Sequence, residues 1–330
     1  MQQNIKFVII GAGNIANTYL AAIQKLSNAE VVGIVSNKSN KPTAFSHLPS
    51  FQTVSKIDID FDAVIVCTPN GLHHITTIEA ASLGKHVLCE KPIDITLEAI
   101  DKMIAACKEN KVKLGVAYQR RFSSDNPIIK KMIEENKLGK IFSVDLAVKN
   151  YRDDKYYDSA PYRGTYNIDG GGPFIQQASH YIDLYYWLFG KPSKLVSKLA
   201  TFIHTIEVED HGAVICMHDS GMIGTITAST ATKPGFPAKM EIYSNKGYCI
   251  LENDVITHWD IEGVENPSKQ QSSKNTHTGS SSPLVNDTAN HELIISDFID
   301  AIHTGREALI SGESARNATE LILDIYNNQF

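Results

Sequence analysis

The sequence predicts an α/β domain followed by an α+β domain, on three observations. Short apolar runs alternate with helix-period segments over roughly the first 120 residues. A glycine-rich turn, Gly11-Ala12-Gly13-Asn14-Ile15-Ala16, joins the first run to the first such segment. Beyond it the rhythm changes to long extended stretches with helices at their edges. Apolar runs separated by amphipathic segments are the mark of βαβ units, whose parallel sheet is buried on both faces. Strands in succession bordered by helices read as α+β. A chain of 330 residues exceeds one ordinary core, and two domains are expected, 1–120 and 121–330.

In order, Ile5–Ile10 reads as a strand, Ile15–Leu26 as a helix, and Val31–Val35 and Ala63–Cys67 as further strands. A helical Leu72–Leu83, a strand Val87–Cys89, a helix Leu97–Lys108 and a strand Val112–Ala117 complete the alternation. Next come a helix near Pro127–Asn136, the strand Ile141–Lys149, a polar aromatic stretch and a helix Phe174–Phe189. That helix carries an apolar stripe at Ile175, Ala178, Ile182, Tyr185 and Phe189, which should face the core and leave Gln177, His180 and Leu184 opposite. Lys194 to His258 is mostly extended, and 266–283 is a polar low-complexity stretch expected to be a mobile surface loop. Helices from about Thr288 to His303 and from Glu313 to Asn327 close the chain.

Hydrophobic residues at 42% and charged residues at 21% are the balance of a soluble globular protein. A net charge of −6 gives no general attraction to nucleic acid or an anionic membrane, so any phosphate must be held locally. The opening MQQNIKFVIIGAG lacks the basic and cleavage features of a secretory leader, and its apolar run is too short to span a bilayer. A cytoplasmic location is expected. Cys67, Cys89, Cys107, Cys216 and Cys249 are scattered in apolar contexts without a CxxC pair, which predicts reduced, buried thiols.

The strand–GxGxxA–helix arrangement is a dinucleotide cradle. Gly11 permits the tight turn, Gly13 lets the backbone approach a pyrophosphate, and Ala16 allows close helix–strand packing, while Asn14 and Ile15 open the helix whose N-terminus attracts the anion. The second strand ends in Ser36-Asn37-Lys38 with no acid for ribose hydroxyls. Ser36 and Asn37 suit either a hydroxyl or a phosphate and Lys38 suits a 2′-phosphate, so the residues admit NAD or NADP.

The strand His86-Val87-Leu88-Cys89 runs directly into Glu90-Lys91-Pro92. Together with GAGNIA at 11–16, CTPNGLHH at 67–74 and DGGGPFIQQASHYID at 169–183, this stretch resembles the glucose-fructose oxidoreductase and inositol dehydrogenase (Gfo/Idh/MocA) family. The resemblance implies a Rossmann domain and a second domain built on a large, mostly antiparallel β-sheet. It places Thr68, Pro69, Asn70 and His73 along the nicotinamide side, Glu90 near the cofactor ribose and Gln119 in the cofactor set. It makes Lys91 and His180 catalytic, with a cis Lys91–Pro92 bond, and it implies assembly into a homodimer or homotetramer through the open face of the second sheet.

Hydride removal from a carbinol carbon leaves a hydroxyl proton to be taken up, and a histidine or a lysine of lowered pKa can take it. Either Lys91 or His180 fits as the base. Many members carry an aspartate four residues before the histidine. Here Gln176 stands there, which excludes an Asp–His relay. The stretches at 162–165, 204–214 and 229–247 resemble the branch that oxidises a UDP-N-acetylhexosamine or its uronate at C3, with Arg152, Tyr162, Arg163 and Gln177 near the sugar nucleotide. A free sugar or inositol is the alternative substrate. A non-catalytic dinucleotide-binding regulator is the other alternative, and the presence of both Lys91 and His180 argues against it. Glu207, Glu209, Asp210 and His211 lack ligand-type spacing, and no metal is expected.

Overall fold

The computed structural model describes residues 4–36, 43–268 and 288–330. Two compact units divide the chain, residues 1–119 with 284–316 and residues 120–283 with 317–330.

The first unit holds six strands, β1 (Ile5–Ile10), β2 (Ala29–Val35), β3 (Ser50–Phe51), β4 (Ala63–Val66), β5 (His86–Cys89) and β6 (Leu114–Val116). All pair in parallel, in the order β3-β2-β1-β4-β5-β6. The connections include α1 (Asn14–Ile23), α2 (His73–Ser82) and α3 (Leu97–Glu109). Phe7, Val8, Ile9, Val64, Ile65, Val87 and Leu88 are fully buried, which is why these strands are apolar at consecutive positions rather than alternate ones. Strand order reverses between β1 and β4, so their carboxyl ends flank the switch point where open α/β sheets bind ligands.

The second unit begins with α4 (Asn126–Glu134) and β7 (Ile141–Lys149), followed by α5 (Asp154–Asp158), α6 (Pro173–Gln176) and α7 (Ser179–Phe189). Six more strands follow: β8 (Lys194–Ala200), β9 (His211–Met217), β10 (Ile223–Ser229), β11 (Lys239–Ser244), β12 (Gly247–Glu252) and β13 (Val255–Ile261). The sheet runs β13-β12-β11-β7-β10-β9-β8 and is antiparallel except where β7 meets β10. Val144, Leu146 and Val148 of β7 are buried with Val214 and Cys216 of β9 and Ile226 and Ala228 of β10, on the face that α6 and α7 cover. The period-2 alternation marks a sheet with one covered face.

The expected helix Phe174–Phe189 is two helices. Gln177 and Ala178 both donate to the Pro173 carbonyl, at 3.1 and 2.8 Å, so one residue is inserted into the helical ladder before α7 begins. An uninterrupted helical wheel drawn through that point is out of phase, and Leu184, expected on the outward side, is buried.

The expected continuous second domain, 121–330, is corrected at its C-terminal end. Helix α8 (Ala289–Thr304) packs against α1 and β5 of the first unit, burying Ile294, Ile295, Phe298 and Ile299. A Cβ on Gly115 of β6 would stand 2.8 Å from the Phe298 ring, so that strand needs glycine there. The unit boundary then falls within α9 (Gly312–Asn327), after Arg316. Most of the low-complexity stretch, from 269 onward, lies outside the described residues.

Candidate active site

The cradle after β1 follows from its glycines. Gly11 has φ +104°, and a Cβ there would stand 2.5 Å from the Cys67 carbonyl, so only glycine fits. Gly13 caps α1, is exposed, and would place a Cβ in open space. Asn14 and Ile15 follow with no acid in the first turn, and Ala16 is fully buried. An uncovered helix N-terminus with nothing anionic on it suits a pyrophosphate. Ser36 follows β2 and donates its N–H to Phe51 (3.0 Å), while Asn37 and Lys38 lie outside the described residues.

At the end of β5, Glu90 is buried and its carboxylate accepts from the Tyr19 hydroxyl (2.7 Å) and the Lys91 N–H (3.1 Å). Burial and then the Glu90 charge push the Tyr19 phenol well up, and the same two causes raise the Cys67 and Cys89 thiols. Tyr19 is therefore a neutral donor that fixes the acid beside Lys91. Its ring meets the edge of His291 (5.3 Å between centroids), and His291 Nε2 lies 3.4 Å from Gln119 Nε2. The Lys91–Pro92 bond is cis, as expected. Tyr19 was not legible from the sequence: its partner lies 71 residues away, past the end of the glycine motif.

His73, expected along the nicotinamide side, has no exposed surface. Its ring nitrogens lie 2.9 Å from the Pro92 carbonyl and 2.8 Å from that of Thr68, so it braces the Thr68–Asn70 segment against the Lys91 segment instead of lining a site. Thr68, Pro69 and Asn70 retain partial exposure. The Thr68 hydroxyl and Gln119 Oε1 are buried without a hydrogen-bond partner, two polar atoms of the expected cofactor set that a ligand can satisfy. The residues of this unit thus fit a dinucleotide.

In the second unit, the expected substrate residues gather around one ring that sequence reasoning missed, Tyr156 of α5. The Arg163 guanidinium lies 4.3 Å from its centroid and that of Arg152 5.5 Å, with Tyr162 5.8 Å from Arg163. Gln177 donates to the Tyr156 hydroxyl (3.3 Å). Burial lowers Arg152 from the ordinary arginine value, and the Arg163 cation acts in the same direction. Two guanidiniums held over one phenol favour an anion. A tyrosine in a tyrosine-rich loop carried no signal that singled it out.

His180 lies in the first turn of α7, partly exposed. Gln176 donates to the Asp169 carbonyl (2.5 Å), so the residue at the relay aspartate's place ties down the turn before the helix. A run of glycines such as Gly170–Gly172 suits close approach of backbone to a ligand. Cβ atoms at Gly171 and Gly172 would instead strike the Tyr326 hydroxyl and the Glu209 carbonyl, so the crowding comes from the protein itself. The Asp210 carboxylate accepts from the amides of Phe202, Ile203 and His204, and Glu209 from those of Gly172 and Phe174.

A parallel sheet with a dinucleotide cradle, joined to an antiparallel domain and carrying a lysine at a strand end, defines a nicotinamide-dependent oxidoreductase. Residues 5–118 match the oxidoreductase family with an NAD-binding Rossmann fold, and residues 128–250 match the GFO/IDH/MocA C-terminal domain. The chain belongs to the GFO/IDH/MocA family. It is similar to inositol 2-dehydrogenase of Rhizobium meliloti (strain 1021), at 25% identity over 96% of this chain and 94% of that protein. Among solved structures it is similar to the WlbA dehydrogenase of Bordetella pertussis in complex with NADH and UDP-GlcNAcA, with TM-score 0.86 and 29% identity over 99% and 96% of the two chains. The corresponding Chromobacterium violaceum structure, also with NADH and UDP-GlcNAcA, gives TM-score 0.85 and 28% identity over 99% and 94%.

Proposed function

We propose that this protein is an NAD(P)-dependent dehydrogenase that oxidises C3 of a UDP-N-acetylhexosamine or UDP-N-acetylhexosaminuronate. The observation that carries this reading is the Arg152–Tyr156–Arg163 cluster tied to Gln177, a built cationic subsite that a neutral sugar does not need. The likeness to two solved dehydrogenases that bind UDP-GlcNAcA supports it.

Bound nicotinamide dinucleotide supplies the hydride acceptor. The uncovered N-terminus of α1 takes its pyrophosphate, and Thr68, Gln119 and the Glu90 region hold its nicotinamide end. Lys91 and His180 handle the hydroxyl proton, and either serves as base. Gln176 makes no relay. With no acid at the end of β2 the residues admit both coenzymes, and Ser36→Asp is expected to raise the NAD to NADP ratio of kcat/KM by repelling a 2′-phosphate.

UDP-sugars and free sugars assayed with each coenzyme at the nicotinamide absorbance band test the reading. A UDP-linked substrate should be turned over, giving a 3-keto product by NMR, and Arg163→Ala should raise its KM. A free sugar or inositol used as well as its UDP-linked counterpart would replace this reading with the second one, which the inositol 2-dehydrogenase relative favours. No helix among the described residues is long and apolar enough to cross a membrane. Five unpaired, buried cysteines suit the reducing cytoplasm, where we place the protein.

A further inference from the structure

Glu209 lies just ahead of β9 and is buried, yet no step above uses it. Its carboxyl faces three donors. Gly172 N–H gives to Oε2 (3.0 Å), and Phe174 N–H (3.4 Å) and the Tyr326 hydroxyl (2.8 Å) give to Oε1. Gly172 ends the glycine turn and Phe174 lies in α6, so one side chain grips both sides of the entry to the α6–α7 corner. The absence of a Cβ at Gly171 and at Gly172 is what lets Tyr326 and Glu209 come this close. The inserted residue at Gln177–Ala178 makes the corner an irregular helical ladder, which needs such an external hold.

We infer that Glu209 is a positioning residue for the proposed reaction: its carboxylate fixes the Gly170–Gly172 turn and, through it, the corner that presents Gln177 and His180. The inference rests on the dehydrogenase reading for its kinetic consequence alone. An ionised carboxylate accepts from all three donors. Protonation removes the charge that strengthens these bonds and puts a hydrogen on one oxygen, which of the three donors only the Tyr326 hydroxyl can accept. Burial pushes Glu209 up to about 7, against the pull of Tyr326 and of the Gly172, Phe174 and its own amides, so the grip tightens across the neutral range. Tyr326 from α9 faces the carboxyl, and Tyr166 from the loop before the turn feels its charge. The neighbouring acids are committed elsewhere, Glu207 to the Tyr166 amide and Asp210 to the 202–204 amides and His204.

The test is the pH profile of kcat in wild type, Glu209→Gln and Tyr326→Phe. Wild type should show a limb near neutrality that rises with pH. Glu209→Gln should lose that limb and up to roughly 10²-fold in kcat, the scale of a small misplacement of reacting groups, while NADH affinity is unchanged. Tyr326→Phe removes a donor that stabilises the carboxylate and should move the limb to higher pH. A side chain that merely supports the fold would lower activity without moving the limb, so an unmoved limb in either variant overturns the inference. A readout without turnover separates it from the functional reading. With ¹⁵N-glycine, ¹⁵N-phenylalanine and ¹³C-histidine labels, the Gly172 and Phe174 amides and the His180 ring should share a titration step that Glu209→Gln abolishes. Amides that titrate while His180 ignores the step would also overturn it, whether or not any sugar is oxidised.

Discussion

Lys91 leaves β5 at the carboxyl edge of a parallel sheet, one residue beyond an acid whose two oxygens are already engaged by Tyr19 and the Lys91 amide. In the proposed mechanism its ammonium serves the reacting end of the site rather than the phosphate cradle at Gly11–Ile15. Lys91→Met should therefore cut turnover on the order of 10²- to 10⁴-fold, the usual loss for an acid–base group, while NADH binding followed by fluorescence stays at the wild-type level. Wild-type turnover in the variant would remove Lys91 from the mechanism. The lysine stands out in the sequence because its type and place are unusual for a strand end. Tyr156 does not, since its setting comes from two guanidiniums and an amide that meet only in the folded chain. His73 was legible as important but misread, because a motif shows that a histidine is needed and not which way its ring turns.

The strand–turn–helix element at the start of the chain separates two uses of glycine. Gly11 sits at φ +104° against the Cys67 carbonyl, whereas a Cβ on Gly13 meets nothing within 4 Å. Gly11→Ala should lose more than about 1 kcal/mol of stability, the penalty of a side chain in the wrong backbone region with no room. Gly13→Ala should keep its urea midpoint and lose NADH affinity, because the added methyl stands where the pyrophosphate approaches. Equal stability losses in both variants would refute this division. Elements of this kind were readable because local signals and burial agree: apolar runs became central strands and the glycine motif fell between β1 and α1. The corner between α6 and α7 was unreadable because the inserted residue leaves no trace in hydropathy. The glycine run at 170–172 told of close approach but not of what approaches.

For the whole molecule, an amphipathic helix shows which of its faces is apolar and not which sheet it covers, and so α8 was assigned to the wrong unit by chain order. Global stability carries the signature of Glu209. Its folded value of about 7 lies above the ordinary glutamate value, so between roughly pH 4.3 and 7 the native state holds a proton that the unfolded chain has released. Its contribution to stability therefore falls as pH rises through that window and is flat above it. Relative to Glu209→Gln, wild type should lose on the order of 3 kcal/mol across the window in urea unfolding. A constant difference between the two would mean that the carboxyl titrates normally.

The face of the second sheet opposite α7 is the surface through which we propose that the protein assembles. Ile215 of β9 and Ile223 of β10 are 50% and 53% exposed there, and the register sets Ile215 against Thr225 and Ile223 against Met217. Asp145 of β7 lies beside Thr225 and accepts its hydroxyl, while Tyr243 of β11 lies opposite Ser143 and next to Tyr248 of β12. The face thus mixes branched aliphatic and aromatic side chains with paired polar ones, and a broad face of this kind is what subunits bury. We expect a homodimer or homotetramer formed through it. A lysine at the centre of an apolar contact leaves an unpaired charge without water, so Ile215→Lys combined with Ile223→Lys should shift the protein toward monomer in sedimentation velocity. Both sites are surface positions within one unit, and the monomer should keep wild-type circular dichroism and NADH binding. An unchanged oligomer would move the interface to another surface, and a wild-type protein that already sediments as a monomer would refute the assembly altogether.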